Sequence, residues 1–300
     1  ERQMAEHPDS ALLTLRQIDA SSLNRHNTAL YALLLTQAQY KNDITATSDS
    51  LINIALDYFS DGKRHIECLI YKGAVLQELG EEQEAIDYLK KAEAATSPTD
   101  NEMLGYINMR LGNIYMNSYI ENNEDIAKYK KALHHYKLSG NKKYQLACLG
   151  TVGALYRAEN MDSAYYYINA AIKLAEELGN SERIAYHKGL LVRAYITDSL
   201  IYKAKNAATC LMAEYPEYCD NDLLLDASRI YAMLGNRDSA FFYLQKASKL
   251  NLSEPEEIVL LDAKYNIFMA DKNYKAALNI VKEKNKLAYG SYEKSVIYWK

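Results

Sequence analysis

Two interleaved ladders of small residues recur along this 300-residue chain at nearly one period, and no other feature constrains the fold as tightly. Asp-Ser-Ala occurs at Asp9-Ser10-Ala11, Asp162-Ser163-Ala164 and Asp238-Ser239-Ala240, with Asp49-Ser50-Leu51 and Asp198-Ser199-Leu200 as variants. Ala164, Ile168 and Ala171, like Ala240, Leu244 and Ala247, keep the i, i+4, i+7 spacing of one helical face. The Asp suits a first turn, where its carboxylate caps free N–H groups and meets the positive end of the helix dipole. The small slot of these helices runs through Ala11, Leu51, Ala85, Asp125, Ala164, Ala204, Ala240 and Ala276, at separations of 40, 34, 40, 39, 40, 36 and 36 residues. A second ladder lies between them: Gly73, Gly112, Gly153, Val192 and Ser228, followed three positions on by Leu76, Tyr115, Tyr156, Tyr195 and Tyr231. A small residue lets a neighbouring backbone approach, and the larger one beside it fills the gap.

The implied architecture is all-α: eight second helices with seven first helices between them, about fifteen in all, stacked as an α-solenoid. Twelve Gly and four Pro make 16 of 300 residues, about 5% against roughly 12% in an average protein, which excludes a many-turned sandwich or barrel. No composition shift marks a boundary, so residues 1–300 read as one solenoid domain. Gly140-Asn141 and Gly179-Asn180 end second helices, where Gly relieves left-handed strain.

Leu111-Gly112-Asn113-Ile114-Tyr115 resembles the first-helix motif L-G-x-x-Y of the tetratricopeptide repeat. Leu191, Tyr195, Ala204 and Pro216 keep that family's spacing, and Gly73, Gly80, Ala85 and Ala92 follow it less completely. The Trp of the pattern is missing, the sole Trp being Trp299, and Asp125, Leu211 and Glu283 stand where the family prefers Ala. The resemblance covers nearly the whole chain and implies a right-handed superhelix of helix hairpins. The longer units look like those of bacterial peptide-sensing regulators.

Chemistry for catalysis is not visible. The motifs G-x-S-x-G, H-E-x-x-H and G-x-x-x-x-G-K-[ST] do not occur. His134 and His135 point about 100° apart on a helix and lack a third ligand at helical spacing, so neither a metal nor a cofactor is expected. Cys68, Cys148, Cys210 and Cys219 show no CxxC spacing and read as free or buried thiols, Cys148 as a small apolar side chain. With 35 basic against 39 acidic residues there is no basic footprint for nucleic acid. No run of about 18 apolar residues would span a bilayer, so any membrane link is expected through segments outside this chain.

Binding is the remaining class, along the concave wall that stacked hairpins form. In the family's register Asn113, Arg193 and Arg229 occupy one matching position in three units, with Arg157 one turn along in the unit between them. Their guanidinium groups either take a carboxylate or phosphate bidentately or pair with Asp and Glu of adjacent helices. Members that bind heat-shock-protein tails use a clamp of two Lys, two Asn and one Arg. Asn113 matches one clamp Asn, but Met109 stands in place of the partner Lys.

The chain has 27 Tyr against four Phe, and Tyr165-Tyr166-Tyr167 covers most of a helix circumference, so at least one ring should reach the surface. Tyr either lines a partner groove, with Tyr186 and Tyr265 as candidates, or covers the edges of a thin core. The expected partner is a protein or peptide segment.

His7 to Leu12 and Asn42 to Leu51 look like bacterial repeat proteins exported as lipoproteins or tethered ahead of a membrane span, which implies a cell-envelope or periplasmic scaffold or sensor. Ser295 to Trp299 would open a capping helix, a coiled coil or a membrane-interface approach. The competing reading is the ligand-binding part of a cytoplasmic peptide-sensing transcriptional regulator.

Overall fold

A computed structural model describes residues 2–4, 6–117, 124–247 and 254–298. The described residues contain fifteen α-helices and no strand. In chain order they are α1 (Pro8–Arg16), α2 (Arg25–Lys41), α3 (Ser50–Leu56), α4 (Gly62–Glu78), α5 (Glu82–Ala95), α6 (Asn101–Asn117), α7 (Glu124–Ser139) and α8 (Lys142–Tyr156). They continue as α9 (Met161–Glu177), α10 (Ser181–Thr197), α11 (Ile201–Glu214), α12 (Asn221–Met233), α13 (Arg237–Ala247), α14 (Glu254–Ala270) and α15 (Tyr274–Tyr298). Helix α15 passes through Ser295 without a break, and Trp299 lies outside the described residues. No helix among them is long and apolar enough to cross a membrane.

The Cα packing groups the chain into two compact units, residues 1–148 and 149–300, with the border inside α8. In the first, Ala85, Ile86, Leu89 and Ala92 of α5 are buried against Leu69, Ile70 and Leu76 of α4 and Ile107, Leu111 and Ile114 of α6. In the second, Ala204, Ala208 and Leu211 of α11 meet Ala185, Val192 and Ile196 of α10 and Leu223 and Ile230 of α12. Successive first helices also touch each other: α2 meets α4, α10 meets α12 and α12 meets α14. A row whose members are closest lies on the inside of a curve, so within each unit these first helices form the inner row and the second helices the outer one.

The glycine ladder works by close approach. A Cβ on Gly73 would lie 2.9 Å from Leu89 Cγ and 3.1 Å from the Ala85 carbonyl oxygen; one on Gly153 would lie 2.7 Å from Ile168 Cγ1 and 3.0 Å from its backbone nitrogen. Ser228 fills the same rung and converts the closeness into a hydrogen bond, its hydroxyl donating to the Ala240 carbonyl at 2.9 Å. The ladder aromatics behave as expected too: Tyr156 stacks on Tyr167 and Tyr231 on Tyr243, with ring centroids 5.7 and 5.5 Å apart.

Three slots of the other ladder are displaced by one residue, Asp125 being half-buried in α7 while Ile126 is buried. Ala277, not Ala276, is buried in α15, and Ile52, not Leu51, is the buried residue in α3. The capping atom also differs from the Asp expected. Asn160 accepts from Ser163 N, Asn180 from Arg183 N and Asn236 from Ser239 N, while Asp162 and Asp238 sit two residues on, within the first turn, where they meet the dipole.

Asn180 and Asn236, like Asn141, follow a glycine that ends the preceding helix. Gly140, Gly179 and Gly235 have φ of +74°, +63° and +72°, and the next N–H reaches back to the carbonyl of Tyr136, Ala175 or Tyr231 at 2.9–3.1 Å. Asn141 likewise closes α7 through its backbone and opens α8 through its side chain, which accepts from Tyr144 N. Lys272 stands at the corresponding place before Asn273 with φ +57°.

Ion pairs brace neighbouring hairpins. Glu93 of α5 accepts from Asn108 of α6 at 2.6 Å and pairs with Lys131 of α7 at 2.8 Å. Burial pushes the Glu93 carboxyl up, but the bonds from Lys131 and Asn108 and the charge of Lys128 outweigh it and hold it below its usual 4.5. A lowered carboxylate contributes stability above the unfolded value that is lost as pH falls through the folded one. Glu93→Gln should therefore flatten the acid limb. Urea denaturation of residues 1–148 between about pH 6 and about pH 3 should lose less stability in this variant than in the native chain, and an equal or larger loss would refute the assignment.

Candidate functional site

The inner row of residues 149–300 carries two adjoining cavities. Arg193 and Arg229 each follow the small residue of their helix, Val192 in α10 and Ser228 in α12, so the repeat geometry projects both the same way. Arg157 lies in the turn just past α8, one helical turn beyond Gly153. All three line one cavity of about 300 Å³, together with Ile196, Thr197, Asp222 and Asp226. Four of its seven lining residues were absent from the sequence-derived set.

Arg193 is tied down inside that cavity. Its Nε donates to Asp226 and its Nη2 to Asp222, both at 2.8 Å. The two carboxylates come from successive turns of α12, so one guanidinium spans i and i+4 of the next first helix. The Asp226 carboxylate is mostly enclosed and the Asp222 carboxylate is 47% exposed, which makes the first bond the stronger of the two. Burial pushes the Asp226 carboxyl up, because it loses more hydration than Arg193 returns. Arg193 is held above its usual value: burial alone would lower it, but the charge and hydrogen bond of Asp226 win, with Asp222 adding to them.

The other two arginines are differently placed. The Arg157 guanidinium is half-buried, and its one hydrogen bond among the described residues goes to the Ala154 carbonyl at 3.3 Å. Burial and then the like charge of Arg193 lower its pKa, as expected for a cation lacking a carboxylate at contact distance. Arg229 is exposed and forms no ion pair among the described residues.

A second cavity of about 340 Å³ adjoins the first through Arg193, Asp222 and Asp226. Tyr186 of α10, 53% exposed, and Tyr218 form its aromatic wall, and Glu182, Glu217 and Asp220 add negative charge. The remaining expected residues fall elsewhere. Tyr265 on α14 is half-buried and lines neither cavity. Asn113 belongs to residues 1–148, where its Oδ1 accepts the Tyr129 hydroxyl, so it serves hairpin packing in the structure. Of Tyr165, Tyr166 and Tyr167, Tyr166 reaches the surface at 68% exposure, but from the outer row.

The histidines and cysteines singled out in the sequence do not come together in one site among the described residues. His134 is exposed, His135 turns Nδ1 to Asn101 Oδ1 at 2.9 Å, and no group of three metal-ligating residues forms among the described residues. Cys148 is fully enclosed, and burial pushes its thiol up to about 12, which leaves it a protonated apolar filler. All four cysteines are free.

No family model matches this chain, and no curated protein matches it. Solved structures do. The chain is similar to a signal transduction ATPase with a tetratricopeptide repeat sensor from Pyrococcus horikoshii, at 16% identity and a TM-score of 0.73, over 99% of this chain and 46% of that one. It is similar to a tetratricopeptide repeat protein from Parabacteroides merdae, at 16% identity and a TM-score of 0.63, over 87% and 93%. It is also similar to the Rap conjugation gene regulator of plasmid pLS20 in complex with the Phr* peptide, at 16% identity and a TM-score of 0.56, over 94% and 79%. Likeness at this identity speaks to architecture alone, and it agrees with the ladders read above: the chain has the tetratricopeptide-repeat fold.

Proposed function

We propose that this chain is a noncatalytic scaffold or sensory module that holds a peptide or protein segment along the inner row of residues 149–300, within a larger bacterial envelope protein. The observation that carries the reading is the convergence of Arg157, Arg193 and Arg229, from three successive units, on one open cavity beside an aromatic-walled second one. A solenoid presents its side chains to a ligand at repeat spacing, and an extended peptide meets them in series. The peptide bound by a Rap regulator of similar architecture supports this use of the fold. The envelope setting rests on the resemblance of residues 7–12 and 42–51 to exported repeat proteins, and fractionation of the native host with an antibody against this chain tests it: recovery with the cytoplasm would refute it.

A photo-crosslinking residue placed at Tyr186, on the inner row, should capture a discrete partner in the native host. The same residue at Tyr202, which is 75% exposed on outer helix α11, should not. Equal capture from both positions, or capture only at 202, would overturn the groove assignment.

A further inference from the structure

The lining of the arginine cavity limits what chemical group it can receive. We infer that it is a receptor for one carboxylate, the terminal or an acidic side-chain carboxylate of a bound peptide, and that it discriminates against phosphate dianions. The inference rests on the groove reading and adds the ligand class.

Charge balance decides it. The cavity lining carries three guanidinium groups and two carboxylates, a surplus of one positive charge. Arg193 directs Nε to Asp226 and Nη2 to Asp222, so its charge is already matched by carboxylates and it fixes the floor of the cavity. Arg157 and Arg229 supply the surplus, since neither meets a carboxylate within ion-pair distance among the described residues. Two guanidinium groups with free donors suit a planar, two-oxygen acceptor.

A single carboxylate neutralises the surplus. A phosphate dianion exceeds it and stands against Asp222 and Asp226, with Glu182, Glu217 and Asp220 lining the cavity next door. Like charges at such spacing disfavour the second negative charge most where burial is greatest, and Asp226 is the most enclosed carboxylate of the set. Ile196 supplies an apolar wall and the Thr197 hydroxyl is already committed to the Arg193 carbonyl at 2.9 Å, so no further neutral donor waits for a third phosphate oxygen.

The test follows the arginine Nε–Hε resonances of the whole chain by NMR during titration at constant ionic strength and pH 8. N-acetylglycine represents a terminal carboxylate, N-acetylaspartic acid α-amide a side-chain one, N-acetylglycinamide the uncharged control and inorganic phosphate the dianion. Either carboxylate probe should shift Arg157 and Arg229 saturably, and the tighter one identifies the source. The amide should not shift them, and phosphate should bind at least about threefold more weakly. Arg229→Gln, at an exposed position, should weaken the better carboxylate about tenfold, and Arg157→Gln provides a second variant. Phosphate binding as tightly as the carboxylates, equal shifts with the amide, or unchanged affinity in both variants would overturn the inference. The outcome separates from that of the groove reading: carboxylate binding without crosslinking at position 186 retains the receptor and sinks the groove, whereas crosslinking without carboxylate selectivity does the reverse.

Discussion

Tyr136→Ala is expected to lower the stability of residues 1–148 by about 4 kcal/mol, the range for removing an enclosed aromatic ring. Tyr136 is fully buried on α7, stacks on Tyr144 with centroids 4.9 Å apart, and presses on α6 where a Cβ at Gly105 would lie 2.8 Å from its Cε1. The ring fills a space that the missing side chain at Gly105 creates, so the two positions form one packing unit. Gly105→Ala should therefore destabilise the native chain but stabilise the Tyr136→Ala variant, where the helix preference of Ala, about 1 kcal/mol over Gly, acts unopposed. A double-mutant cycle by urea denaturation checks the change of sign, and additive effects would mean that the two residues do not share that space.

Arg193→Glu should have the next largest effect. It removes the partner of Asp226 and adds a third carboxylate to a partly enclosed pair, at a cost of about 3 kcal/mol to residues 149–300. Most of that belongs to Asp226, since Asp222 is 47% exposed and solvent screening leaves its pair worth under about 1 kcal/mol. Arg193→Glu combined with Asp226→Arg should recover more than half of the loss, because the reversed pair restores opposite charges across α10 and α12. Thermal or chemical denaturation of the single and double variants measures this. A double variant no more stable than Arg193→Glu alone would show that the pair does not carry the coupling.

Much of the architecture was legible because repeated packing leaves repeated residues. Gly73, Gly112 and Gly153 mark places where a side chain would strike the neighbouring helix, and that constraint is visible as a letter. Leu51 and Ala276 were one residue out for a local reason: Leu51-Ile52 and Ala276-Ala277 each offer two apolar candidates, and composition does not choose between them. The cap does. In α9, α13 and α15 the buried Ala lies four residues after the capping Asn, at Asn160, Asn236 and Asn273, and counting from Asn273 selects Ala277.

The candidate site was legible in part. Register placed Arg157, Arg193 and Arg229, because the repeat carries direction with it. Asp222 and Asp226 escaped because their partner is 29 and 33 residues away, and only side-chain direction on two packed helices joins them. Pairing with neighbouring acids and lining a groove were posed as alternatives for the arginines, yet Arg193 does both.

The Gly-Asn dipeptides have a bearing on how such chains lengthen. Each holds the stop instruction for one helix and the start instruction for its successor in two adjacent codons. Unequal recombination between Gly140-Asn141 and Gly179-Asn180, which both join a second helix to the next first helix, would insert or excise one whole hairpin without leaving a frayed end, so repeat number can drift while the junctions stay intact.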